Sequence, residues 1–379
     1  MLLRLKEADL HITNTCSARC PYCYVDMKHE STERTPFQSC EMEGDLEQLM
    51  RIVSALRHVA GVEDLVLVGG DPCRHSNLVP LLRHAKAEHL NTIILSNTHI
   101  YREDGHEVEI EEVADLIDEM DFTLHGADAV SHDAFNNAPG SYDTAISRIK
   151  RFMKVRSEDQ GVGIVLNMVP DIVGNAARLY EIMHNIVREL GMKPDQDFFA
   201  IQRIAPSGKA LMDWESWKLD RIMLNASFDI FDEIKEEFGI ETRLCIDAFP
   251  WCAVQEKHRH YLEPLRGGCN WGRPDGVMSV LLDGTLQRCA LCHETLSVNI
   301  LDVPNREAFS ELLENHPMLR AVREHRHLAK TCLQCKLLEQ CGGGCVIANT
   351  DGVRIGDPYK GTSTPPQKGV DYLKKESLR

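Results

Sequence analysis

Short apolar runs alternate with longer amphipathic runs from residue 8 to about 240. The short runs, at 8–12, 65–68, 93–95, 122–124, 162–168 and 198–204, read as buried strands. Between them, Asp45–Val59, Leu78–Leu90, Glu109–Met120, Tyr142–Val155 and Asn175–Leu190 repeat their apolar positions at helical spacing. Strand and helix in regular alternation predict a parallel sheet of six β/α units. One more amphipathic helix is expected over Leu219–Phe238, and beyond it the periodicity changes. Gly, Pro, Trp and Cys become dense there, and Gly276–Arg288 reads as a hairpin turned at Asp283-Gly284. The expected organisation is an α/β unit over 1–240 and a Cys-rich unit over 241–379.

In parallel sheets built from β/α units, chemistry sits at the C-terminal ends of the strands. Those ends carry Cys16-Ser17-Ala18-Arg19-Cys20-Pro21-Tyr22-Cys23, then Gly69-Gly70-Asp71-Pro72, Ser96-Asn97-Thr98 and Thr123-Leu124-His125-Gly126. His11 and His99 also fall there, but lone histidines are more often structural than catalytic, so of the three only His125 is given a role.

Composition narrows the function. With 42 basic and 58 acidic residues the net charge is −16, which repels a phosphate backbone and argues against nucleic acid as a partner. The acidic surface fits plain solubility and attraction of a basic peptide equally well. Arg4, Lys6, Glu7 and Asp9 within the first ten residues exclude a signal peptide. No apolar stretch reaches the ~18 residues of a membrane span. The expected location is therefore the cytosol, where 14 cysteines point to metal rather than disulfides.

Cys16, Cys20 and Cys23 have C-x3-C-x2-C spacing. A closed structural site wants four thiolates, so three on one loop leave the fourth metal of a cluster open to a small molecule. Spacing and position resemble the radical S-adenosylmethionine (SAM) superfamily. The resemblance implies an open six-stranded (β/α)6 barrel whose [4Fe–4S] cluster is held by these three cysteines. SAM is chelated at the open iron and cleaved reductively, and the resulting 5′-deoxyadenosyl radical abstracts a substrate hydrogen. Tyr22 stands where the family packs a ring on adenine. Gly69-Gly70-Asp71-Pro72 resembles the family's GGEP element at the SAM ammonium, with Asp71 replacing Glu. Ser96 and Asn97 match an element beside the ribose and methionine, and Thr123 to Gly126 match a Ser-Leu-Asp/His-Gly element that includes His125. Ser131–Asn136, followed by Gly140–Asp143, is similar to a stretch common in peptide-modifying members. Asn136 replaces an Arg that pairs the SAM carboxylate there, and Arg203 is the candidate substitute.

The C-terminal half carries Cys269-x14-Gly284-x4-Cys289 and then Cys332-x2-Cys335-x5-Cys341-x3-Cys345. This resembles the SPASM extension, which holds two auxiliary [4Fe–4S] clusters; a zinc ribbon would show only paired C-x2-C knuckles. The resemblance assigns Cys269, Cys289 and Cys345 to the first auxiliary cluster and Cys332, Cys335 and Cys341 to the second. Cys252 is chosen as fourth ligand of the first over Cys292 and Cys245. The family's seventh cysteine is missing, since none follows Cys345. Asp357, Cys292 or an open iron is left for the second cluster, and Lys360 stands near the expected position. Cys73 directly follows the glycine motif and is a candidate hydrogen-atom donor or thiolate, with simple packing as the alternative; Cys40 has no role beyond packing.

The resemblance implies an enzyme that matures a ribosomally made peptide by a thioether or carbon–carbon cross-link, or by side-chain oxidation. A small-molecule substrate such as a tetrapyrrole or sugar is the alternative, and a simple iron–sulfur electron carrier is disfavoured because a carrier needs no SAM motifs. Implied partners are a precursor peptide and a reductant such as flavodoxin or ferredoxin. Leader recognition is expected from a separate protein or from the barrel itself. Sulfatase maturation is disfavoured by Ala290, where those enzymes often place Asp.

Overall fold

The computed structural model describes residues 2–16, 18–25, 43–97, 110–126, 128–170, 176–211, 213–217, 219–245, 249–271, 273–292, 294–328 and 330–349. Cys40, Thr98, His99, Asp357 and Lys360 lie outside them. Six parallel strands follow one another in space as in sequence: β1 (Glu7–Thr13), β2 (Asp64–Gly69), β3 (Asn91–Ser96), β4 (Glu119–Leu124), β5 (Gly161–Met168) and β6 (Asp197–Arg203). Each matches an apolar run of the sequence to within a few residues. The connecting helices are α1 (Leu46–Ala55), α2 (Leu78–Ala87), α3 (Ile110–Ala114), α4 (Ala129–Asn136), α5 (Ser141–Val155) and α6 (Ala176–Leu190).

Local chemistry sets several boundaries. The Asp45 side chain accepts from the Gln48 N–H and starts α1. That helix widens into a π turn at Leu56–Ala60 before Gly61 ends it in the left-handed conformation. α3 is much shorter than the helical spacing over Glu109–Met120 predicts, because β4 begins at Glu119 and pairs Glu119 with Ile93 and Gly161.

The sheet does not end near residue 240. After α7 (Arg221–Phe238), β7 (Glu241–Leu244) adds to β6 in parallel. At the other side β8 (Val277–Val280) pairs in parallel with β1, placing Glu7 opposite Val277 and Leu10 opposite Val280. β9 (Thr285–Gln287) and β10 (Thr295–Asn299) continue antiparallel, giving the order β10-β9-β8-β1-β2-β3-β4-β5-β6-β7. The predicted hairpin is β8–β9, turned at Gly284 with φ +90°. The proposed units thus share one ten-stranded sheet. Asp9 of β1 and Arg203 of β6 line one common cavity, so the six central strands curl into a partial barrel. A single large core of Leu, Ile, Val and Phe fills the space between the strands and the outer helices.

Candidate active site

The three N-terminal cysteines lie on the loop leaving β1, at the mouth of a cavity of about 1060 Å³. A turn from the Cys23 N–H to the Cys20 carbonyl (3.2 Å) bends the loop back on itself. The glycine motif after β2 is bonded directly to this loop. Gly70 N–H donates to the Thr13 carbonyl (2.7 Å), and Asp71 N–H donates to the Thr15 carbonyl (2.8 Å). Glycine is required at this approach: Gly69 has φ +139°, and a Cβ there would sit 2.1 Å from the Thr13 carbonyl oxygen. Ser207–Lys209 close the loop from the β6 side, with Lys209 N–H donating to the Cys23 carbonyl (3.0 Å). Cys16 is reached by solvent through the cavity yet flanked by protein. Desolvation, followed by the charge of Asp71, raises its thiol pKa above the ordinary range.

Most of the expected SAM contacts converge here. Tyr22, Gly69, Gly70, Ser96, Asn97, Thr123 and His125 line the cavity with Cys16, Cys20 and Cys23. Asn97 Nδ2 donates to Cys16 Sγ at 2.9 Å. Tyr22 stands in an aromatic group with His125, Phe135 and Trp217, at centroid distances of 5.8, 5.5 and 5.9 Å. Its hydroxyl accepts from Asn167 Nδ2 (2.7 Å) and lies 3.2 Å from the His125 ring. Burial, then the nearby Cys20 and Cys23, keep that phenol protonated. Asn167, Trp217, Gln202 and Lys209 are absent from the sequence-derived set. Asn167 ends β5 and was findable by the strand-end rule; Trp217 lies on a short turn with no motif around it.

Asp71 is fully buried and, like Pro72 and Cys73, does not itself line the cavity, but it is bonded to Ser96, which does. Its Oδ1 accepts from Ser96 Oγ (2.8 Å) and from the Cys73 N–H (3.1 Å), while Oδ2 has no hydrogen-bond partner among the described residues. An orphaned carboxylate oxygen beside the cluster loop fits an ammonium ligand, which is what the SAM amine supplies. Desolvation raises this carboxyl to about 6, opposed by the Ser96 hydrogen bond. A cationic ligand selects the ionised carboxylate, so SAM binding is expected to weaken as pH falls through about 6. Folding stability runs the opposite way, because the folded state holds this proton more tightly and gains as pH falls from there. Asp71→Asn is expected to lower SAM affinity about 10- to 100-fold, the loss of one charged hydrogen bond. Equilibrium binding at two pH values checks it, and unchanged affinity contradicts an ammonium contact.

Other expectations land elsewhere. Cys73 and Pro72 are buried and do not line the cavity. Cys73 packs in the barrel core, with burial raising its thiol pKa far above the ordinary range, so the geometry corrects the radical-donor reading toward packing. Asn136 holds the cluster loop, its carbonyl accepting from Arg19 N–H (3.1 Å) and its Oδ1 lying 3.6 Å from Cys20 Sγ. His11 is buried against Ser279 Oγ (3.1 Å). Arg203 reaches the cavity wall, its guanidinium 5.2 Å from the Phe249 ring centre.

The Cys-rich region forms the far wall through Trp271, Ala290 and Leu291, and Ser207 Oγ donates to the Leu291 carbonyl (2.8 Å). Cys269, Cys289 and Cys292 pack together with Trp271 and Val346, and Leu291 and Ile347 link them to Cys345. Cys252 is not in this group; it is the one exposed residue of an otherwise buried turn whose Trp251 N–H donates to Cys341 Sγ (3.3 Å). Two glycine pairs make the chains cross: a Cβ on Gly342 would sit 2.0 Å from the Gly267 carbonyl oxygen. Among the described residues no three candidate ligands gather as one metal ion requires, whereas a cubane offers each thiolate a separate iron.

Three cysteines on the loop leaving β1 share one cavity with the motif residues at the ends of successive strands, an arrangement that points to a class of enzyme. Residues 10–176 match the Radical SAM superfamily, so the chain carries a radical SAM domain and is an enzyme with SAM and [4Fe–4S] as cofactors. Among solved structures it is similar to SuiB of Streptococcus suis, with TM-score 0.64 and 15% identity over 91% of this chain and 74% of that one. It is similar to anSMEcpe with bound AdoMet, with TM-score 0.63 and 15% identity over 93% and 90%. In both cases the likeness is one of fold. A curated relative, the AdoMet-dependent heme synthase of Methanosarcina barkeri (strain Fusaro / DSM 804), is 21% identical over 350 residues, 88% of each chain.

Proposed function

We propose that the chain modifies a ribosomally made peptide, placing a side chain of that peptide in the cavity next to SAM. The observation that carries this reading is the cavity itself. At about 1060 Å³ it matches or exceeds the usual ~300–1,000 Å³ of a single-ligand pocket and is walled by both the barrel and the Cys-rich region. That leaves room for a substrate residue after SAM is bound. A structure of SuiB bound to its precursor peptide SuiA, on a similar fold with TM-score 0.62, supports the same reading.

When bound, the cluster and SAM supply a 5′-deoxyadenosyl radical that takes a hydrogen from the substrate. The protein's own contribution is placement. Tyr22, held by Asn167, would flank the adenine; Asp71 would take the ammonium; Arg203 is the cation that would face the carboxylate. Trp271 and Leu291 would exclude water from the substrate side, protecting a reactive intermediate. A cytosolic reductant such as flavodoxin or ferredoxin would load the electron, and leader recognition would fall to the barrel or a separate protein.

A second reading, a small-molecule substrate such as a tetrapyrrole, is favoured by the heme synthase match. The test is anaerobic incubation with SAM and dithionite, offering either short peptides encoded beside the gene or porphyrin precursors. A peptide losing two mass units per 5′-deoxyadenosine formed is expected for a cross-link. Turnover of porphyrin alone replaces the peptide reading with the second.

A further inference from the structure

The chain has no cysteine after Cys345, yet two auxiliary clusters need eight thiolates if each is closed by protein. The described residues beyond 249 hold eight cysteines. Four of them surround Arg288, and of the remaining four Cys252 and Cys341 are brought close by a hydrogen bond from the neighbouring Trp251.

The first group is Cys269, Cys289, Cys292 and Cys345. Cys292 N–H donates to the Cys289 carbonyl (3.0 Å), so one tight turn carries both thiols. Gln287 Nε2 anchors that turn on the Cys292 carbonyl (2.7 Å). Arg288 is buried among these four cysteines, and its Nη1 has no hydrogen-bond partner among the described residues. A buried guanidinium N–H left over beside four thiols is suited to an anionic cluster.

The second group is Cys252, Cys332, Cys335 and Cys341. Trp251 N–H donates to Cys341 Sγ at 3.3 Å, which sets the turn bearing Cys252 against this sulfur. Ala253 N–H closes that turn on the Pro250 carbonyl (2.8 Å), and Asn225 Nδ2 fixes it through the Ala253 carbonyl (2.9 Å). Leu337 N–H donates to Cys335 Sγ (3.4 Å), and a further turn joins Cys335 N–H to the Cys332 carbonyl (3.0 Å). Backbone N–H groups directed at cysteine sulfur are the bonds that tune iron–sulfur ligands. Cys252 and Cys335 are both exposed and Cys332 is partly so, placing this group near the surface.

We propose that Cys252 closes the second auxiliary cluster with Cys332, Cys335 and Cys341, replacing the absent terminal cysteine, while Cys292 closes the first with Cys269, Cys289 and Cys345. This exchanges the ligand that spacing alone favours and rests on the two-auxiliary-cluster reading. Both clusters are then saturated by thiolate. Neither then offers an iron to a substrate thiol. No carboxylate at 357 is required.

The test uses the full-length chain carrying Cys16, Cys20 and Cys23 changed to Ala, so that only auxiliary clusters contribute. About eight irons per chain are expected, four per cubane; fewer overturns the two-cluster reading itself and the assignment with it. In that background Cys252→Ala should perturb one auxiliary signal in Mössbauer and electron paramagnetic resonance spectra. Cys292→Ala should perturb the other, the double variant both, and Asp357→Ala neither. To separate ligation from folding, Cys252→Gly should regain its signal on addition of a small exogenous thiol. The assignment is overturned if Cys252→Ala leaves both signals intact, if Cys252→Ala and Cys292→Ala alter the same one, if Asp357→Ala alters either, or if the Gly variant is not rescued.

Discussion

Changing Cys16, Cys20 and Cys23 together to Ala is expected to abolish SAM cleavage and remove about four of about twelve irons. The three thiols stand on one loop whose backbone is bonded on one side to Gly70 and Asp71 and on the other to Lys209. Those bonds run through carbonyls and N–H groups, so the loop should keep its path without the thiols. Tyr22 stays tied to Asn167 as well. The variant should therefore fold and retain its other irons while forming no 5′-deoxyadenosine under dithionite. Iron analysis with chromatographic detection of 5′-deoxyadenosine measures both. Cleavage persisting at even a few per cent of the parent rate would remove the basis for placing the reaction in this cavity.

Replacing Arg156 with Ala is expected to cost about 3–5 kcal/mol, a large share of the ~5–15 kcal/mol that holds a typical domain. Arg156 caps the end of α5 and forks onto Asp197 at the start of β6, with Nη2 2.9 Å from Oδ2 and Nη1 on Oδ1. Both side chains are essentially unexposed, at 1% and 0%. Removing the guanidinium leaves a buried carboxylate supported, among the described residues, by the Lys193 N–H (2.7 Å). The joint change to Met at 156 and Leu at 197 should recover much of the loss, because the penalty is that of an uncompensated charge. Urea titration of both variants checks this, and a loss below about 1 kcal/mol for Arg156→Ala would show that the pair is not isolated from water.

The sequence revealed those features whose cause is local. Strand and helix periods came through because each apolar run faces one core, and the cysteine loop came through because its spacing is a chemical requirement on neighbours. Pairing between distant segments did not. Nothing near Val277–Val280 specifies that it lies beside β1, and nothing near Arg156 names Asp197, 41 residues on. α3 was read too long because the apolar positions of β4 happen to continue its helical spacing. The ligand choice that our proposal exchanges, Cys252, rests on spacing, which measures distance along the chain, while the crossing of Gly267 over Gly342 determines distance in space. Tyr22 was identified by its motif, but its partner Asn167 belongs to a strand read only as apolar.

The parallel pairing of β8 with β1 also bears on how the protein is made. Of the strands in this sheet β1 is made first, and it meets β2 soon afterwards, since Glu7 pairs with Asp64. Its other edge waits for Val277. At a synthesis rate of about 5–20 residues per second, that edge stands bare for on the order of ten seconds or more. An unpaired strand edge of this kind is a template for pairing with another chain. Nascent chains crowded on one message are therefore the state in which this enzyme is most exposed to aggregation, and the last-made strands end that exposure by covering the first.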